Sequence, residues 1–261
     1  MKPQDLAMIA DIMGLPEALV PVMHELMTDF QALGGWPDEA AAAMRGTGLD
    51  ATHRVADLGC GKGAVGIRLA CEFACRVDGF DLHPPFLDDA REAAEAAGVG
   101  DRCTYIEADL REILDGTERW DAVVYSALGS GLFGGHATCV AALRQAVRPG
   151  GWMLVADGYL QDARDGQEAP PGFGYYRTLD ETRDELAAHG DVVVSEVFVS
   201  PAAMEADDAR GTAWLRRRAP EVAQRHPELR EAIDAMFEGY AREGDWMTRA
   251  TGEACWVLQR A

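Results

Sequence analysis

The chain has 261 residues, with 24 Lys plus Arg against 44 Asp plus Glu, a formal net charge of −20 before any histidine titrates. An apolar share of 48% and a charged share of 26% are those of an ordinary globular protein and exclude a disordered or fibrous chain. The acidic balance disfavours a phosphate backbone as partner, and no run of about 18 uninterrupted apolar residues offers a membrane-spanning helix.

Residues 1–52 read as helices. Leu6, Ile9, Ala10 and Met13 share one face and Gly14 ends it. Pro16 opens a second run, through Leu19, Met23, Leu26, Met27 and Phe30, that Gly34-Gly35 stops. Pro37-Asp38-Glu39 starts an alanine-rich third piece. From residue 53 strands and helices alternate. Strands are expected at Arg54–Leu58, Arg76–Phe80, Cys103–Glu107, Trp120–Tyr125, Trp152–Ala156, Val192–Val199 and Ala254–Gln259. Helices are expected at Ala64–Phe73, Pro85–Ala97, Leu110–Leu114, Thr138–Val147 and Leu179–His189. Such alternation implies a mostly parallel sheet with helices on both faces. Gly158–Gly174 reads as a long loop, and helices near Ala202–Arg218 and Pro220–Arg242 fill an insert before the last strand. Arg216-Arg217-Arg218 stands among acids and reads as a solvated helix face. The organisation expected is a helical cap at 1–52, a core at 53–200 and 252–261, and an insert at 201–251, packed as one compact domain.

The six cysteines, at 60, 71, 75, 103, 139 and 255, form no CxxC pair, and the histidines show no HExxH spacing. No metal site is expected; the thiols read as small buried residues of a reducing compartment, and a cytoplasmic location with no secretory leader is expected.

The chemistry-bearing stretch is Val55-Ala56-Asp57-Leu58-Gly59-Cys60-Gly61-Lys62-Gly63, a glycine-rich turn between a strand and a helix. Glycine lets the backbone adopt left-handed angles and approach a ligand closely. GxxxxGK[ST] is absent, which excludes a P-loop. Asp57 stands on the strand end, where a carboxylate suits a cationic amino-acid group better than a pyrophosphate. Asp81 ends the second strand, where it can accept from both ribose hydroxyls. Asp109 follows the third strand, placed to accept from an adenine amino group. Together they describe a ligand with an adenosine and a charged amino-acid end.

These stretches resemble the class I S-adenosylmethionine-dependent methyltransferases. The resemblance is carried by VADLGCGKG (55–63), VDGFDLHPP (77–85), EADL (107–110), WDAVVYSALG (120–129) and LRQAVRPGGWMLVADGY (143–159), in that order. It implies a Rossmann-like seven-stranded, mostly parallel α/β sheet with the last strand antiparallel. It implies S-adenosylmethionine as methyl donor and S-adenosylhomocysteine as product. Carried over, Gly59, Gly61 and Gly63 would line the methionine part and Asp57 would meet its ammonium. Asp81 would take the ribose hydroxyls with Leu82 beside the adenine. Asp109 would meet the adenine amino group next to Leu110, and Ser126 with Ala127 would border the sulfonium. His83-Pro84-Pro85-Phe86 resembles the motif of methyltransferases acting on planar amino groups, but it follows strand two instead of strand four, which disfavours nucleic-acid base methylation.

The insert resembles that of bacterial small-molecule methyltransferases, so the acceptor is expected to be a small molecule, not nucleic acid or membrane, with the helical additions forming its site. A general base is needed only if the acceptor carries a proton; His136, Asp157, Tyr159 and Tyr176 are the candidates. A non-catalytic donor-binding protein and a nicotinamide-dependent oxidoreductase remain alternatives; the latter lacks a YxxxK pair. Nothing in the sequence sets the oligomeric state.

Overall fold

The structure, a computed structural model, describes residues 3–161, 169–170 and 172–261. In chain order the elements are α1 (Pro3–Met13), a 3-10 helix (Glu17–Val22), α2 (Met23–Leu26), α3 (Pro37–Met44), β1 (Arg54–Leu58), α4 (Ala64–Phe73), β2 (Arg76–Asp81) and α5 (Pro84–Ala96). They continue with β3 (Cys103–Glu107), α6 (Leu110–Asp115), β4 (Trp120–Ser126), a 3-10 turn (Ser130–Phe133), α7 (His136–Leu143) and β5 (Val147–Leu160). Last come α8 (Leu179–Leu186), β6 (Val192–Phe198), α9 (Pro201–Arg225), a 3-10 turn (Pro227–Leu229), α10 (Arg230–Ala250) and β7 (Thr251–Gln259). They fall into two compact units.

The larger unit, residues 31–161, 175–199 and 253–261, is a seven-stranded sheet in the order β3-β2-β1-β4-β5-β7-β6. β1 pairs in parallel with β2 and β4, β2 with β3, and β4 with β5; β7 runs antiparallel to β6. This is the Rossmann-like, mostly parallel seven-stranded sheet that the resemblance implies. Period-two burial explains why the strands stay flat between two helical layers. Val55, Val77, Ala122, Val124, Leu154 and Val257 pack on one face with α3, α4 and α5. Ala56, Leu58, Val123, Tyr125, Met153 and Trp256 pack on the other with α7 and α8. Both faces are dry, as a parallel sheet requires. Because β1 and β4 are neighbours while the chain leaves β1 for β2, the strand order reverses there. In open α/β sheets ligands bind outside the carboxyl ends at such a reversal.

The smaller unit comprises residues 1–30, 162–174 and 200–252, so residues 31–52, including α3, belong with the sheet and not with the N-terminal helices. Within it the Asp29 carboxylate takes the Arg217 and Arg218 guanidiniums at 2.7 and 2.6 Å, which hold it well below the usual carboxylate range. Two members of the expected solvated arginine face are therefore anchored. Phe30 meets Trp214 edge-on at 5.1 Å, and the Tyr240 hydroxyl donates to the Met13 carbonyl at 3.1 Å.

Several boundaries differ from the sequence reading. The break expected before Pro220 does not occur: α9 runs through it to Arg225. An interior proline costs a helix about 3 kcal/mol, and burial of Leu215, Ala219 and Val222 on one face offsets it. Pro149-Gly150-Gly151 does not close a helix. α7 stops at Leu143 and the triplet is part of β5, whose register shifts opposite Trp120 and Ala122. The Gly150 N–H donates to the Arg260 carbonyl and the Arg260 N–H to Gly151, so the glycines keep strand partners. Pro21 turns the start of the second N-terminal run into a 3-10 helix. Of the loop expected at 158–174, residues 162–168 and 171 lie outside the described residues. No helix among the described residues is long and apolar enough to cross a membrane.

Candidate donor and acceptor site

The glycine turn closes at the carboxyl end of β1. Gly59, Gly61 and Gly63 have φ of +66°, +50° and +75°, the left-handed region where a side chain costs about 1–2 kcal/mol. Neighbours forbid a Cβ as well. At Gly59 it would strike Leu128, at Gly61 it would come 3.0 Å from Leu33, and at Gly63 2.6 Å from the Tyr105 hydroxyl. Lys62 turns away to an ion pair with Asp89 of α5 at 2.9 Å, over the Phe86 ring.

Asp57 and Asp81 flank this turn. Asp57 is 3% exposed and its Oδ2 accepts from the Gly66 N–H in the first turn of α4 at 3.0 Å. Burial pushes its carboxyl up to about 7, against that hydrogen bond and with added repulsion from Asp81. Asp81 accepts from the Gly61 N–H through Oδ2 and from the His83 N–H through Oδ1, each at 2.8 Å. Burial raises its carboxyl despite those donors. A buried and a half-buried carboxylate, both held above their ordinary range, form a site that a cationic group stabilises. Asp81 also retains lone pairs for hydroxyl donors, since each carboxylate oxygen accepts more than once.

Asp109 caps α6, accepting from the Arg111 N–H at 2.9 Å, and the Arg111 guanidinium also grips the carboxylate. Leu82 and Leu110 are half-buried beside the ends of β2 and β3. Ser126 ends β4 with its hydroxyl oxygen buried and unpartnered. Ala127, next along, has φ +62°, a strained backbone of the kind that clusters at functional sites.

The general-base candidates separate. Asp157, His136 and Tyr176 gather at the ends of β4 and β5, whereas Tyr159 packs edge-on against Phe198 and Trp256 as a wall. His136 opens α7 and is fully buried. Its Nε2 lies 3.5 Å from Asp157 and its Nδ1 3.6 Å from Glu185. Burial holds the Tyr176 phenol well above its ordinary range, so it is no base at neutral pH.

The sequence reading missed the first of two features, and it only placed the second, Tyr175, with Phe173 and Tyr176 in a loop expected to serve the acceptor. Leu33-Gly34-Gly35 lies against the glycine turn, Ala127 and Ser126; the glycine pair, read only as a helix stop, was the available signal. Tyr175 lies across Gly129 and Gly131, where a Cβ would come within 2.6 and 2.5 Å of it. Nothing local links those glycines to a tyrosine more than forty positions on.

With this geometry in view, the comparisons with known proteins are specific. Residues 55–151 match the family described as a methyltransferase domain. A solved S-adenosylmethionine-dependent methyltransferase from Geobacter sulfurreducens, in complex with S-adenosylhomocysteine, shares the fold. Its TM-score is 0.73 at 20% identity, over 92% of this chain and 98% of that one. A release factor glutamine methyltransferase of Chlorobaculum tepidum is 26% identical over 64% of this chain and 53% of its own length. The 27-O-demethylrifamycin SV methyltransferase of Amycolatopsis mediterranei is 26% identical over 59% and 60%. The chain thus spans between half and two thirds of these curated relatives. Residues 55–151 match the methyltransferase-domain model, and the chain shares the fold of the solved S-adenosylmethionine-dependent methyltransferase.

Proposed function

We propose that this protein binds S-adenosylmethionine at the carboxyl ends of β1 and β2 and transfers its methyl group to a small-molecule acceptor. The observation that carries the reading is the pair Asp57, buried, and Asp81, half-buried, on either side of a left-handed glycine turn, both raised above their ordinary range. Asp57 would hold the donor's ammonium and Asp81 its ribose hydroxyls. The backbone of residues 59–63 would lie along the methionine part, with Leu82 and Leu110 beside the adenine and Ser126 near the sulfonium. Asp109 would reach the adenine amino group only through oxygen lone pairs that Arg111 leaves open. The donor supplies an already activated methyl, so this chain's residues contribute chiefly orientation and exclusion of water.

A small-molecule acceptor is supported by the acidic surface, which repels nucleic acid, and by the rifamycin name of one relative. The six free cysteines suit a reducing compartment such as the cytoplasm. Calorimetry with S-adenosylmethionine, S-adenosylhomocysteine and NAD tests the donor assignment. Micromolar binding of the first two, about −7 to −8 kcal/mol, and none of NAD is expected; the converse overturns it. Transfer of a labelled methyl to any acceptor separates an enzyme from a non-catalytic donor-binding protein.

A further inference from the structure

The ends of β4 and β5 hold a buried polar cluster that donor binding leaves unused. Asp157 is 8% exposed. Its Oδ2 accepts from the Ser130 N–H at 2.7 Å, and its Oδ1 from the Gly158 N–H at 2.7 Å and the Tyr175 hydroxyl at 3.0 Å. His136 stands behind it, its Nε2 facing Asp157 and its ring tilted over Tyr175 at 5.9 Å. Both His136 ring nitrogens are buried without hydrogen-bond partners, and the Ser130 hydroxyl meets only the Cys139 thiol. Such polar density at the end of a sheet is costly unless it is used.

Tyr175 is the member with a way out: Asp157 and His136 are buried, whereas Tyr175 is only half-buried. It lies against Gly129 and Gly131, and Leu128, one residue earlier, lies against Gly59 of the donor turn. The Gly129–Gly131 segment that Tyr175 covers follows closely in the chain on Ser126 and Ala127, the place assigned to the sulfonium. Burial and the Asp157 charge hold the phenol far above its ordinary range, so at neutral pH it is an O–H whose proton already points at a carboxylate. A group in that state passes a proton on without ionising.

We propose that Tyr175 is a catalytic residue that relays the acceptor's proton to Asp157, and that the acceptor is therefore an alcohol or a phenol. This rests on the methyl-transfer reading. As the acceptor O–CH3 bond forms and the donor S–CH3 bond breaks, the acceptor's hydroxyl proton passes to the Tyr175 oxygen. The phenol's own proton passes to Asp157 Oδ1, and the donor leaves as a neutral thioether. The donor's positive charge and the Asp157 negative charge cancel, so no further reactant is needed. A neutral amine attacks through a free lone pair, and a thiol ionises near pH 8.5 unaided; neither needs the relay. His136 is a positioning residue, holding Asp157 from behind. The titratable groups that feel Asp157 are His136, Tyr175, Tyr176, Tyr125 and Cys139, with Glu185 beyond His136 and Arg177 paired to Glu185.

The test compares wild type, Tyr175→Phe and Asp157→Asn in two measurements. Calorimetry with S-adenosylhomocysteine should give dissociation constants within threefold of one another; no binding by wild type would sink the methyl-transfer reading itself. Methyl transfer from labelled donor to p-cresol, benzyl alcohol, benzyl mercaptan and benzylamine should occur on a hydroxyl compound. Both variants should then lose kcat about a hundredfold, the usual worth of positioned proton transfer, with KM little changed. The relay is overturned if donor-binding wild type methylates no hydroxyl compound or if Tyr175→Phe keeps kcat within threefold.

Discussion

Replacing Asp57 by Asn should make the donor-free protein more stable at pH 8 while weakening donor binding. The amide is isosteric and can still accept from the Gly66 N–H, so packing is preserved and only the charge is removed. The carboxyl stands at about 7 in the folded chain against 3.8 ordinarily. At 3% exposure solvent screens it little. Linkage then assigns this group on the order of 4 kcal/mol. Between pH 4 and 7 the native state keeps a proton that the unfolded chain has lost, so the contribution falls as pH rises: it is present in full below about 4 and gone above about 7. Urea unfolding of wild type and Asp57→Asn between pH 5 and 8.5, without donor, isolates it, because other groups cancel in the difference. The gap should shift towards the variant by about 1.4 kcal/mol per pH unit below 7 and level off above. A donor ammonium reverses the preference. Wild-type affinity for S-adenosylhomocysteine should therefore rise with pH through the same window and binding at pH 6 should release a proton, whereas the variant should bind about 10- to 150-fold more weakly, the worth of a charged hydrogen bond. A wild-type minus variant stability difference that does not move between pH 5 and 8 refutes the argument.

Asp81→Ala should lose about 1.5–3 kcal/mol of donor binding by calorimetry; an unchanged dissociation constant removes the ribose assignment. Gly61→Val should abolish donor binding while far-ultraviolet circular dichroism stays native. The residue sits at φ +50° against Leu33, where a branched side chain costs at least about 1–2 kcal/mol, and normal titration would contradict the turn geometry. Pro220→Ala should stabilise the chain by about 1–3 kcal/mol in urea, since it restores a helical N–H inside α9. No gain would mean that the helix is interrupted there.

The sheet was legible in the sequence because alternation of apolar residues is a local signal. Val55, Asp57 and Gly59 announce a strand running into a turn, and Asp81 announces the end of the next strand, without knowledge of any distant residue. The residues proposed to hold the donor stand in equally local positions, each following its own strand by a fixed number of positions. Local rules failed where a long-range term outweighed them. Pro220 should end a helix, but Leu215, Ala219 and Val222 bury a continuous face across it. Pro149-Gly150-Gly151 should close one, but backbone partners at Arg260 draw the triplet into β5. The sequence named Asp157 and His136 as separate candidates but could not join them into one cluster with Tyr175. Asp157, His136 and Tyr175 come from a strand end, a helix start and a loop, and only the parallel order of β4 and β5 lays their chain segments side by side. Burial, which lifts the Asp57 carboxyl towards neutrality and the Tyr175 phenol far above its ordinary range, is a property of the packed state alone. The chain's own order of residues therefore determined which chemistry was available, and the tertiary structure decided which of those groups are desolvated, paired and close enough to use it.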